Sequence, residues 1–203
     1  MVEHKFISSL DYTTQLIGNN DTRFSLVYVR KSGEPYSVTF DGYDDAFAND
    51  RSDGGYDAAY IPTGASDPNV VFASSAVADA VMAHVNSSGL SSYKGTIVPR
   101  NAFNSPWNSS LDLRITQDIE VMEGHKVIVY LDITNLLNLI DDDKGIITEY
   151  SNRSRQIELD RDNPYDSEGR YNIVGVDPDD GLRVYNNNGQ SSYQWNLGFK
   201  YQF

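Results

Sequence analysis

The chain contains no cysteine among its 203 residues. Disulfides, thiolate metal sites and thiol nucleophiles are therefore excluded. It also lacks any run of lysine or arginine: 16 basic residues face 29 acidic ones, for a formal charge of −13. Affinity for a nucleic-acid backbone comes from basic side chains that neutralise phosphates, so no nucleic-acid partner is expected. The same shortage argues against attraction to an anionic membrane surface. No stretch approaches the roughly 18 consecutive apolar residues of a transmembrane helix. The opening MVEHKFISSLDY lacks a basic region followed by an apolar core and does not read as a signal peptide. Two expectations follow: a cytoplasmic protein, or the tail of a longer chain whose export signal lies upstream. Hydrophobic residues reach only 39%, while Tyr numbers 14. Such a composition gives a thin core and better suits a sheet that is apolar on one side.

What the sequence does have is alternation with a period of two, the signature of a half-apolar strand. The C-terminal SSYQWNLGFKYQF places Tyr193, Trp195, Leu197, Phe199, Tyr201 and Phe203 on one parity, with polar residues or Gly198 between them. HKFISSLDYTTQLI carries Phe6, Leu10, Tyr12 and Leu16 on one parity. After GNND, Phe24, Leu26, Tyr28, Tyr36, Val38 and Phe40 share a parity, interrupted at Ser32-Gly33-Glu34-Pro35, where a bulge or bend is expected. Leu111, Leu113, Ile115, Ile119 and Val121 oppose Asp112, Arg114, Thr116, Asp118 and Glu120. A tight turn at Met122-Glu123-Gly124-His125 leads to Val127, Val129, Leu131 and Ile133, with Asp132 and Thr134 on the other face. The predicted strands cover roughly 4–17, 22–41, 108–121, 125–138 (with a continuation toward 159 left open) and 191–203.

Two long, acidic, turn-rich segments, about 41–107 and 141–190, lie between these strands. The first includes a predicted helix, SSAVADAVMAHV, capped by Ser74 or Ser75, with Val77, Ala80, Val81, His84 and Val85 along one stripe. Tight and long connections thus alternate, and all tight ones fall on the side of Phe203. Outer-membrane β-barrels show this asymmetry, with the apolar band facing lipid and the polar face the lumen. The expected fold is all-β: an antiparallel up-and-down transmembrane β-barrel segment, about five meandering strands of a larger barrel, with long extracellular loops and one short loop helix. Leu111, Leu113, Ile115, Val127, Val129, Leu131 and Ile133 are expected to face lipid, and Asp112, Arg114, Asp132 and Gly198 the lumen. The other readings of the alternation are a soluble or surface β-sandwich binding module with acidic loops, and a small autonomous barrel. The latter needs three more strands from the long segments, for which IITEY and YNIVGV are the candidates.

The final YQWNLGFKYQF resembles the C-terminal signature strand of bacterial outer-membrane proteins. That resemblance implies that Tyr193, Trp195, Leu197, Phe199, Tyr201 and Phe203 form a signal read by the barrel-assembly machinery. Arg100-Asn101, Pro106-Trp107, Asp112-Leu113-Arg114, Asn135-Leu136-Leu137-Asn138 and SGEPYSVTF, in that spacing, are similar to the last strands of TonB-dependent outer-membrane receptors, most of all the Oar-like branch. The resemblance spans nearly the whole chain. It implies residence in the bacterial outer membrane, contact with lipid, and uptake of a ligand driven through TonB. It also implies a barrel of 22 strands around an N-terminal plug. With five strands and no plug, residues 1–203 read as the C-terminal part of such a barrel domain, partnered by the remaining strands, by the plug and, through the missing N-terminal part, by TonB.

No enzymatic constellation is expected: His4, His84 and His125 fall on a strand, a helix and a turn. His84 reads as a packing residue. No cofactor or metal is assigned. Asn49-Asp50-Arg51-Ser52-Asp53-Gly54 is similar to a calcium loop, but Arg51 stands at a ligand position and no downstream Glu completes it. Asp41, Asp44, Asp45, Asp53 and Asp57 are the candidates for gathering around calcium, with Asp177, Asp179 and Asp180 as a second cluster.

Overall fold

Period-two alternation becomes extended strand wherever neighbouring strands can pair in register. The computed structural model describes residues 3–41, 57–184 and 189–203. In chain order the elements are β1 (Lys5–Ile17), β2 (Asn20–Lys31), β3 (Pro35–Asp41), β4 (Val70–Phe72), α1 (Ser75–Ser87), β5 (Phe103–Asn104) and β6 (Asn108–Met122). They continue as β7 (His125–Thr134), α2 (Leu136–Ile140), β8 (Thr148–Tyr150), β9 (Arg153–Leu159), β10 (Tyr171–Val176), β11 (Leu182–Val184) and β12 (Gln194–Gln202). The fold is mostly β, with antiparallel pairing throughout one sheet and parallel pairs in another. The chain divides into two compact units.

The first, here called the meander unit, comprises Val2–Gly33, Pro106–Thr148 and Val184–Phe203. Its sheet has five strands in the order β1-β2-β6-β7-β12, and every adjacent pair is antiparallel. Gly18 and Gly124 turn the two tight hairpins with φ of +58° and +78°, a region open to glycine without a Cβ penalty. β1 and β12 are the two edges, so the sheet is not closed.

The second, the core unit, comprises Glu34–Ser105 and Glu149–Arg183. Its sheet runs β4-β10-β9-β3-β5 and mixes parallel pairs (β4 with β10, β3 with β9) with antiparallel ones. Tyr36, Val38 and Phe40 alternate into a core with Ile61, Val81, Val85, Leu90, Val98, Ile157, Leu159 and Ile173. Each such side chain contributes about 1.5–3 kcal/mol when fully buried. α1 lies against β10, and its Ser74 N-cap accepts a hydrogen bond from the Val77 amide at 3.2 Å.

Several sequence expectations are corrected. The strand over 22–41 is two strands in different sheets. At Ser32 the chain leaves the meander: the Ser32 amide donates to the His4 carbonyl at 2.9 Å, and its hydroxyl accepts from the Glu3 and His4 amides. Pro35, without an N–H, then opens β3 instead of continuing β2. The strand over 125–138 ends at Thr134, because Asn135 is left-handed (φ 55°) and starts α2; residues up to 159 do not extend it. IITEY and YNIVGV do contain β8 and β10, but neither joins the five-stranded sheet. The long segments are therefore more than turn-rich loops, since they supply a cored unit. On α1 the buried stripe is Ala78, Val81 and Val85, with Ala80 exposed.

Candidate functional site

The two faces of the meander sheet carry the most distinctive chemistry. Register aligns Leu10, Leu26, Leu113, Ile133 and Trp195 across all five strands. The next row on the same face is Tyr12, Phe24, Ile115, Leu131 and Leu197. Leu111 sits opposite Tyr28, Val129 opposite Phe199, and Val127 between Ile119 and Tyr201. The apolar residues picked out by alternation on β6, β7 and β12 thus share one face. One row departs: Thr22 and Gln117 interrupt it but satisfy each other through a hydrogen bond at 2.5 Å.

No apolar side chain of this unit is buried among the described residues, whereas the core unit holds all the buried ones. Trp195, Leu197 and Phe199 are 66%, 67% and 77% exposed, and Leu113 and Val129 are half-buried by their sheet neighbours. A contiguous apolar surface of this kind marks an interaction site. Aromatic groups gather at both ends of it. At one end Trp107 stacks with His4 and Phe6, and the Arg30 guanidinium lies 5.4 Å from its ring centre. At the other, Tyr201 contacts His125 and Phe203, with its hydroxyl 2.6 Å from His125 Nδ1.

The opposite face is polar and internally paired. Arg114 donates from Nε to Asp132 Oδ1 at 2.5 Å and from Nη2 to Oδ2 at 2.7 Å, a bidentate pair between adjacent strands. Its guanidinium lies 5.6 Å from the Tyr130 ring centre. Asp118 accepts from Lys126 at 2.9 Å and lies 3.9 Å from Arg23. Asp112 shares this parity and accepts the Asn135 amide at 2.8 Å. Tyr130 stands opposite Gly198, where an added Cβ would lie 2.4 Å from the phenol.

Of the first set of calcium candidates, Asp41 and Asp57 fall among the described residues. Asp41 pairs with Arg155 at 3.3 Å and Arg161 at 4.0 Å, and the Asp57 carbonyl accepts the Phe40 amide. Asp44, Asp45 and Asp53 lie outside the described residues. In the second cluster Asp180 is taken by the Arg155 amide and guanidinium, and Asp177 accepts the Asp179 amide at 3.2 Å. Among the described residues, the carboxylates that lie close together are those of Asp141, Asp142 and Asp143. Asp141 is engaged there by Lys144 at 2.9 Å and by the Asp143 amide, and the Lys144 hydrogen bond, before that of the amide, holds its carboxyl below the usual range. His84 bonds Gln156 at 3.0 Å in the core unit, while His4 and His125 contact aromatic rings in the meander.

Sequence reading missed Asp67, whose carboxylate organises the core unit's Tyr60–Asn69 corner. It accepts from the Thr63 amide (2.7 Å), the Thr63 hydroxyl (2.9 Å), the Asn69 amide (2.8 Å) and the Tyr60 hydroxyl (3.1 Å). The signal available was Asp67-Pro68-Asn69, a turn-forming triplet in which the Asp side chain reaches the backbone two residues on. No protein-family description, curated protein or solved structure matches the chain.

Proposed function

We propose that the chain is the C-terminal part of the β-barrel of a TonB-dependent outer-membrane receptor of the Oar-like kind, which takes up a ligand across the outer membrane. The observation that carries this reading is the meander sheet: five strands in register, one face apolar with no buried apolar residue among the described residues, and aromatic clusters at both ends. Strands of this length suit a bilayer. The nine residues of β12 fall within the about 9–11 that a tilted transmembrane strand needs. Lipid then covers Leu113, Ile115, Val127, Val129, Leu131, Ile133 and Leu197, and the Trp107 and Tyr201 clusters lie at the two interfaces.

The paired charges of Arg114–Asp132 and Lys126–Asp118 belong on a watery lumen side, where solvent reaches them. β1 and β12 each leave a row of N–H and C=O groups unpaired in the sheet. Hydrocarbon tolerates no free backbone group, so both edges call for further strands of a larger barrel. The aromatic β12 is the strand the assembly machinery reads. The long connections face outside the cell, where ligand arrives. The part proposed here catalyses no reaction.

The core unit favours a second reading in one respect: its buried core is that of an ordinary soluble module. One experiment separates the two. Replacing Trp107 with Phe leaves Trp195 as the sole tryptophan. Refolded into vesicles, its fluorescence should be quenched by lipids brominated near the headgroup-proximal carbons. A chain that instead stays monomeric in plain buffer, unfolds cooperatively and shows no lipid quenching would overturn the receptor proposal in favour of the soluble module.

A further inference from the structure

The meander unit buries no apolar side chain among the described residues, but three of the polar ones it does bury gather at one place. Asn108, Asn135 and Ser191 are 4%, 2% and 8% exposed. Here residues 141–147, with Gln190 beside them, fold back against the polar face of β2 and β6. Lys31 stands opposite Asn108 and Val29 opposite Ser110 on that face. Gly145, Ile147 and Gln190 close over them around a hollow of about 50 Å³.

Side chains tie this segment down. Asn135 Nδ2 donates to the Gly145 carbonyl at 2.9 Å and to that of Gln190 at 3.5 Å. The Ile147 amide donates to Ser191 Oγ at 3.0 Å. Asn138 Nδ2 donates to the carbonyls of Asp142 and Lys144, each at 3.1 Å. The closed arrangement also carries a penalty. Both polar atoms of the Asn108 side chain, and Oδ1 of Asn135, are buried without a hydrogen-bond partner. Solvent does not reach them while the segment lies in place, so nothing offsets their desolvation. Ile147 is only half-buried, which keeps the opposing apolar gain small. Gly145, at φ +65°, leaves no room for a Cβ against the Asn135 side chain.

We infer that residues 141–147 form a strap that opens by itself, ahead of the sheet beneath it. Opening hydrates the Asn108 and Asn135 amides and uncovers Val29, Lys31 and Ser110. Segments with few buried apolar contacts open locally at a lower free energy than the strands around them. In this strap the orphan atoms act in the same direction, because they are penalised only when it is closed. Its motion involves the polar face of the meander alone and does not depend on what covers the apolar one.

Hydrogen exchange of the full chain refolded in detergent tests this, with peptides spanning 141–148 set against peptides of β6 and β7. The Ile147 amide, bonded to Ser191 when the strap is closed, should exchange at least about tenfold faster than the paired amides of β7. Asn108→Leu replaces the two orphan atoms with methyl groups in a side chain of similar shape. It should slow exchange of the strap about tenfold and leave β7 unchanged. Gly145→Ala sets a Cβ against Asn135 and should release the strap, abolishing its protection, again with β6 and β7 unchanged. The inference fails if the strap of the parent exchanges as slowly as β7, or if Asn108→Leu does not slow it. It fails equally if Gly145→Ala lowers protection of β6 and β7 together with the strap, because the segment would then unfold only with the sheet.

Discussion

At the scale of single residues, Asp67 holds the clearest balance of opposing effects. It is 5% exposed, and burial alone would raise its pKa. Hydrogen bonds from the Thr63 and Asn69 amides and from the Thr63 and Tyr60 hydroxyls outweigh that burial and hold the carboxyl below its ordinary value. A carboxyl depressed in the folded state contributes stability that is complete above its unfolded pKa of about 3.9 and is lost as pH falls through the lower folded value. Asp67→Asn removes the charge and turns one acceptor into a donor facing N–H groups. It should cost the core unit about 1.5–3 kcal/mol, the usual worth of hydrogen bonds to a charged group. Hydrogen exchange of peptides spanning residues 60–73 reads this directly: protection should drop at pH 7 in the variant. In the parent, protection should fade below about pH 4, and the variant should lose that acid-dependent component.

At the scale of elements, β12 depends on an absence. Gly198 stands opposite Tyr130, whose ring also lies beneath Arg114. Gly198→Val puts a branched side chain where the phenol lies, and overpacking of this kind costs about 1–3 kcal/mol. Urea unfolding in detergent should show that loss, and adding Tyr130→Ser should recover most of it. A variant pair with additive losses would mean that the two side chains do not meet. The same strand shows what could be read in advance. Trp195, Leu197, Phe199 and Tyr201 alternate without interruption, as do Val127 to Ile133, and Leu111 to Ile119 alternate with one break at Gln117; five strands and their faces follow from period alone. Parity says nothing about which sheet a strand enters: Tyr36, Val38 and Phe40 share the parity of Phe24, Leu26 and Tyr28 but lie in another sheet. The break depends on Ser32, whose hydroxyl closes onto the Glu3 and His4 amides, a contact across 28 and 29 positions. The core unit was hidden for a related reason. Its strands have 2–7 residues, too short for a period to register, and β3 pairs with β9 more than 100 positions away.

At the scale of the whole molecule, the two units bury apolar surface in different ways. The core unit hides Val38, Ile61, Val81, Ile157 and Ile173 within itself, whereas the meander sheet leaves an entire apolar face without cover among the described residues. That contrast turns into a residue-by-residue pattern once lipid is present. The absence of cysteine supplies a clean background for single-cysteine scanning along β7. Cysteines at Val127, Val129, Leu131 and Ile133 should resist a water-soluble maleimide in vesicles and react with a lipid-partitioning one. Cysteines at Ile128, Tyr130 and Asp132, on the face that carries the Arg114–Asp132 pair, should react in the reverse order of preference. The alternation should vanish when detergent and denaturant expose the whole strand. Uniform labelling of both sets in vesicles would mean that water wets both faces, and the assignment of the leucine-rich rows to lipid would then fail. Because neighbouring positions on one strand are compared, the pattern depends on the face each residue occupies and is insensitive to how efficiently the chain inserts.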